Sequence, residues 1–467
     1  MQKSRLWEAF SALTKPEIRA FDKFVRSPFF NQKAHLVGLC SFLRQCCEAG
    51  VTPEAEAAFA AAYPGAAYDD QKMRLANSDL LKLVEHFWTY QEKFADPERN
   101  KIRLAGAYRK RNLPKHAEVS LREARHSREV RPWRHAEHFD DLHRIELELF
   151  QSASAAKRYE AFNLQEISDL MDKTYIARKL RHVCFARSHQ AVMQAPYRFG
   201  LLEAAFAHTE SEGLLDVPAI ALYYHGCHFL ADPAAESHFS RFRDMLSAHA
   251  EQFPPDELRA LYLLAINFGV KKSNESGDND WYRATLGLYQ EALARDLLLE
   301  NGMMSRFAYH NIVGVAVRLH EVAWAEAFIQ KYKNALENRY RESSFSLNMA
   351  RVAYTRQEYG SALLHLQRAD YKDFINGMNA KTLQLKIYYE TGETDLLESH
   401  LDSLKNFIRR QRAVGYHRDN YLNIARYTRA LMRIDPNDAQ AVDGLRQQIE
   451  KEPVLTEREW LLAQLVR

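Results

Sequence analysis

Cysteine is scarce. The five residues Cys40, Cys46, Cys47, Cys184 and Cys227 are odd in number and irregularly spaced, which excludes a disulfide framework and suits reduced, buried thiols in a cytoplasm. Glycine (17) and proline (14) are also few among 467 residues. That rules out collagen-like and low-complexity chains and disfavours a large β-protein built on tight turns. Charge of one sign is missing too: 64 Lys and Arg face 61 Asp and Glu, and the net +3 names no partner. Long apolar runs are absent. The longest stretch free of Asp, Glu, Lys and Arg, 217–231, contains Pro218, His225 and His228 and falls short of the ~20 residues of a spanning helix. The opening residues, with Lys3, Arg5 and Glu8, lack the apolar core of a secretory signal. A cytoplasmic protein without a membrane segment is expected.

Helical periodicity fills almost the whole chain. Thr14 and Glu17 predict a capping box, with Pro16 early in the first turn of a helix that presents Ile18, Phe21, Phe24 and Val25 on one face. Ser27-Pro28 ends it, because a residue before proline avoids the helical region. Further Pro-marked boundaries recur at Asp96-Pro97, Leu113-Pro114, Arg131-Pro132, Ala195-Pro196, Asp232-Pro233, Pro254-Pro255, Asp435-Pro436 and Glu452-Pro453. The polar stretch 271–280 reads as a loop, and Thr456 with Glu459 as a second capping box. About twenty helices and no strand are expected. The fold class is all-α.

A period of 35 residues links Ala327, Ala362 and Leu397. Trp324, Tyr359 and Thr394 follow it, as do Val315, Ala350 and Leu385. Small residues at such places let two helices approach closely, and the aromatic fills the space where the next pair stacks. This spacing resembles the tetratricopeptide repeat, whose period is about 34 residues. A second resemblance rests on Tyr371-Lys372-Asp373, Leu385-Lys386-Ile387-Tyr388-Tyr389-Glu390, Leu397-Glu398-Ser399-His400-Leu401-Asp402-Ser403 and Phe407-Ile408-Arg409-Arg410. Together with Ser27-Pro28-Phe29-Phe30-Asn31 and Glu459-Trp460-Leu461, these strings are similar to helical-repeat proteins of Bacteroidota. The resemblance implies a solenoid in a bacterial cytoplasm and implies no activity. The expected architecture is an α-solenoid of antiparallel helix pairs. It has an N-terminal helical cap (1–96), a repeat region (97–452, clearest over 306–412) and a C-terminal capping helix (453–467).

No phosphate-binding loop, dinucleotide fingerprint, HExxH or paired CxxC occurs. His225, Cys227 and His228, or His135, His138 and Asp141, offer metal-ligand atoms, but solvated or helix-packed side chains account for them as well. No cofactor or metal is expected. Basic charge, however, is concentrated. Between 405 and 433 lie eight Lys and Arg and one acid, Asp419. Lys405, Arg409 and Arg412 lie together beside one helix's apolar stripe, and Arg418, Arg426, Arg429 and Arg433 flank the stripe of the next. A second basic region, 98–144, is interleaved with acids. The ridge reads either as a solvated surface or as a docking site for an acidic segment or for nucleic-acid phosphates, with Tyr416 and Tyr427 beside it to stack on bases. The expected function is a non-catalytic scaffold that holds a protein or peptide partner in a concave repeat surface. The alternative is a nucleic-acid-associated protein using the basic ridge.

Overall fold

The computed structural model describes residues 4–154, 162–193, 195–368, 374–410 and 415–466; Tyr371-Lys372-Asp373 and Arg412 lie outside the described residues. The described residues form twenty-three α-helices and three short 3-10 turns. The chain divides into two compact units, Met1–Tyr175 and Ile176–Arg467.

The first unit opens with α1 (Arg5–Ser11), α2 (Lys15–Arg26), α3 (Ala34–Ala49), α4 (Ala55–Ala62) and α5 (Asp70–Phe94). The expected capping box starts α2: the Thr14 hydroxyl accepts from the Glu17 N–H, and the Glu17 carboxylate accepts from the Thr14 N–H at 2.7 Å. Phe10, Phe21, Phe24, Leu39, Leu43, Phe59 and Phe87 share one buried core. Gly38 is required where α3 meets α4, since a Cβ there would lie 2.2 Å from the Ala61 carbonyl oxygen. Next come α6 (Pro97–Lys110), α7 (Pro114–Val130) and α8 (Ala136–Ser154). Ala105, Ala117 and Ala124 bring these together around Leu121 and Ile145. The boundary between the units falls within α9 (Leu164–Met193).

The second unit continues with α10 (Leu202–Ser211), α11 (Pro218–Ala231), α12 (Glu236–His249), α13 (Pro255–Ser276) and α14 (Asn279–Ala294). A two-residue hairpin, Leu299–Glu300 with Met303–Met304, is the sole strand pairing among the described residues. Beyond it lie α15 (Arg306–Arg318), α16 (Val322–Tyr332), α17 (Asn338–Thr355), α18 (Tyr359–Gln367), α19 (Phe374–Glu390) and α20 (Thr394–Arg410). The chain closes with α21 (Gly415–Arg433), α22 (Ala439–Lys451) and α23 (Arg458–Gln464). From α11 to α20 each helix packs against the next, and α15 also meets α17 as α17 meets α19.

The repeat is written in the backbone. α15, α17 and α19 end on left-handed residues, His320 (φ 60), Gln357 (φ 63) and Gly392 (φ 71). In each case the following amide, Glu321, Glu358 or Glu393, reaches back five residues to a helical carbonyl. These are three identical Schellman closures. Thirty-seven residues separate His320 from Gln357 and thirty-five separate Gln357 from Gly392. The expected 35-residue step therefore holds for the second interval and misses the first by two. Ala325, fully buried, occupies the place of Ala362 and Leu397, whereas Ala327 is exposed. Val313, rather than Val315, matches Ala350 and Leu385, and Trp324 falls out of register with Tyr359.

Two local expectations are corrected. The polar stretch 271–280 is not a loop: α13 runs to Ser276 and only Gly277-Asp278 separate it from α14. The Ser273 hydroxyl donates to the Gly269 carbonyl, and Lys272 lays its ammonium 5.3 Å from the Trp281 ring while pairing with Glu236, so these polar groups are satisfied without leaving the helix. Thr456 does not cap the last helix. α23 starts at Arg458 behind Glu457, which holds φ 57 and makes no side-chain cap.

Candidate peptide-binding face

α17 and α19 both end on the recurring Schellman closure, and they carry the same chemistry at the same distance from it. Six residues before the left-handed turn stand Arg351 and Lys386; three before it stand Tyr354 and Tyr389. Helical spacing puts each cation and its tyrosine on one face, and the packing of α17 on α19 brings the two sets together. Lys386 Nζ lies 4.7 Å from the Tyr354 ring centroid. On α15, Arg318 adds a third cation.

Glu390, at the end of α19, organises the aromatic part. Its carboxylate accepts from the Tyr354 hydroxyl at 2.6 Å, the Tyr359 hydroxyl at 2.7 Å and the Trp460 indole N–H at 2.6 Å. Three donors on one carboxylate fix the orientation of all three rings, since charge-assisted bonds are short and directional. Burial, followed by the bond to Glu390, holds the Tyr354 phenol well above its ordinary range, so Tyr354 stays a neutral donor.

The start of α23 lies on this face. Glu457 bonds Lys386 Nζ at 2.8 Å, and Glu459 pairs with Arg318 at 2.6 Å beside Gly277. Trp460 meets Tyr389 edge-on at 5.4 Å. Desolvation pushes the Glu457 carboxyl up, but Lys386, Arg351 and Arg318 outweigh it and leave the group below the ordinary carboxylate value. The Glu457 side chain is nevertheless 36% exposed, while Lys386 is 12% exposed. The two charged ends are desolvated together, and Lys386 is the more covered of the two side chains.

The expected basic ridge is only partly an open cationic surface. Leu397, Leu401, Leu404 and Ile408 are buried as the apolar stripe of α20, and Ile424, Thr428 and Leu431 as that of α21. Arg426 bonds Glu452 at 2.5 Å on one side of α21. Arg429 bonds Asp402 at 2.9 Å and Glu398 at 3.2 Å on the other, and Arg433 stands 4.0 Å from Glu398. Tyr427 is buried and donates to Glu452, so it offers no face for stacking. Lys405, Arg409 and Arg418 are exposed, with no ion-pair partner among the described residues. Arg412 and the side chain of Tyr416 are outside them.

The histidine groups are also placed. In α11 the Cys227 thiol turns to Cys184, 3.5 Å away, while His225 Nδ1 meets His238 Nδ1 at 2.9 Å and His228 stacks on His238 at 4.4 Å. Burial, then the neighbouring His238 and Arg241, lowers His225 to about 4. The thiol and the imidazoles of this string thus serve different contacts. In α8, Asp141 is fully buried between Arg99 at 2.8 Å and Arg128 at 2.5 Å. Two guanidiniums already neutralise that carboxylate, so it is a poor partner for His135 and His138 around a cation.

Sequence reasoning missed Arg318, Arg351, Lys386 and Glu390. The signal was present as Arg351-x-x-Tyr354 and Lys386-x-x-Tyr389, each preceding its turn by the same count. It carries little net charge and disappears beside the louder run at 405–433. No described helix is long and apolar enough to cross a membrane. No protein-family model, curated protein or solved structure matches the chain.

Proposed function

We propose that the second unit is a tetratricopeptide-like solenoid of antiparallel helix pairs, serving in the cytoplasm as a non-catalytic scaffold that holds a peptide segment of a protein partner. The observation that carries this reading is the recurrence of a cation and a tyrosine at equivalent places on α17 and α19. A stacked array offers such places in series along its first helices, and an extended or helical segment can engage them one after another. The cations supply orientation and the aromatic rings supply contact area at small entropy cost.

A nucleic-acid role for the ridge is less well supported, because Arg426, Arg429 and Arg433 already face carboxylates. Phosphates would have to displace those partners. The test is affinity capture from the native cytoplasm with the parent chain, an Arg351→Glu/Lys386→Glu variant and an Arg426→Glu/Arg429→Glu/Arg433→Glu variant, quantifying both protein and nucleic acid. The scaffold reading expects one protein at fixed stoichiometry, still captured at roughly 0.5 M salt, where the screening length shrinks to about 4 Å, retained by the ridge variant and lost by the first. Loss with the ridge variant, together with salt-sensitive nucleic acid in the parent capture, contradicts it.

A further inference from the structure

We infer that this face recognises a segment with two side-chain carboxylates beside an aromatic ring, and that the chain's own residues 457–460, Glu-Arg-Glu-Trp, are a resident occupant that such a partner displaces. The inference rests on the peptide-scaffold reading and names both the partner's chemistry and the regulation of its access.

Three observations lead to it. The first is where the acids of α23 spend themselves. A helix start has four amides to satisfy, and an acid there ordinarily caps them. Glu457 instead sits at φ 57 with no side-chain cap and gives its carboxylate to Lys386, and Glu459 reaches Arg318 on α15. The local rule for starting a helix is broken in favour of contacts on helices that precede it by many residues. Departures of this kind gather at functional contacts.

The second is complementarity. Three cations, Arg318, Arg351 and Lys386, act on the Glu457 carboxylate, and the Trp460 ring meets Tyr389 edge-on and has the Lys386 ammonium 5.8 Å from its centroid. Acid, acid and aromatic each have a counterpart on the face. The third is the unequal hold at the two ends. Leu461 is fully buried with Tyr421, Ile424, Leu445 and Ile449, which anchors the helix. Glu459 is 58% exposed and its partner Arg318 is 41% exposed. Exposed ion pairs are weak and exchange readily, so the Glu459 contact gives way first, whereas Glu457, desolvated beside Lys386, and Trp460, buried with Leu461 and bonded to Glu390, are contacts that a partner must replace in kind.

The test uses a fluorescein-labelled peptide of residues 455–466 and its charge-reversed counterpart, carrying Glu457→Lys and Glu459→Lys, titrated with the full chain by anisotropy. The parent chain is compared with a Glu457→Gln/Glu459→Gln variant, whose near-isosteric changes remove both carboxylates from the face. It is also compared with that variant carrying Lys386→Gln in addition, and circular dichroism checks that each keeps its helix content. The expected result is at least tenfold tighter binding of the acidic peptide to the Gln/Gln variant than to the parent, and loss of that gain with Lys386→Gln. Equal affinity for the parent and the Gln/Gln variant overturns the inference. Preference for the charge-reversed peptide overturns it too, but leaves the peptide-scaffold reading standing. Binding of neither peptide to any of these chains overturns both.

Discussion

At the residue scale, three positions carry measurable costs. Gln357 holds φ 63 where Gly392 stands in the next repeat. A side chain with a Cβ in the left-handed region costs roughly 1 kcal/mol that glycine avoids. Gln357→Gly is expected to stabilise the chain by about 0.5–1 kcal/mol, read as a higher urea midpoint at unchanged slope. Buried histidines set the pH response. Burial, followed by neighbouring cations and histidines, lowers both His138 and His225 to about 4. Their unfolded value is about 6.5, so below that pH the unfolded chain binds protons that the folded chain refuses. Stability is therefore intact above pH 6.5 and falls as the pH drops towards 4. Discounted for screening, each histidine accounts for a loss on the order of 1 kcal/mol by pH 5. Thermal unfolding between pH 7.5 and 5 should show the decline, and His225→Gln should make it shallower; an unchanged slope contradicts the assignment.

At the scale of elements, helix contacts depend on a few small residues. The Cβ of Gly38→Ala would fall on the Ala61 carbonyl, a backbone atom that cannot swing aside. A loss of about 2 kcal/mol or more is expected in chemical denaturation, with α3 and α4 parting. Ala is the better helix former, so a neutral or stabilising result would mean that α4 is free to shift. Element boundaries were legible at some of the expected signals, where α2, α6, α7 and α13 begin, but the expected boundaries at Pro132, Pro196, Pro233, Pro436 and Pro453 lie several residues ahead of the helices that follow them. They were not legible where tertiary contacts overrule local chemistry. Lys272 and Ser273 look like loop residues until Trp281 and the Gly269 carbonyl are beside them. Thr456 looks like a cap until Glu457 is drawn to Lys386. The 35-residue step was legible between the closures at Gln357 and Gly392, but the interval from His320 to Gln357 carries two extra residues, which a fixed-period search cannot absorb.

At the scale of the whole molecule, composition was a sound guide to class and a poor guide to site. Scarce Gly and Pro pointed to helices, and helices fill both units. The charge excess at 405–433 pointed to a surface whose best-placed arginines turn out to be paired with Glu398, Asp402 and Glu452. Net charge along a chain counts basic residues without knowing which acids fold against them. The face formed by α15, α17 and α19 has few charges, but Arg351 and Lys386 stand at equivalent places and Lys386 is nearly covered by protein. Desolvated charges and fixed rings recognise a partner better than exposed arginines do. The direct measurement is amide hydrogen exchange on the full chain, with and without a saturating acidic-aromatic peptide. Slower exchange in α17 and α19 with faster exchange at the start of α23 is the predicted result. Protection confined to α21 and α22, with α17, α19 and α23 unchanged, would contradict the account.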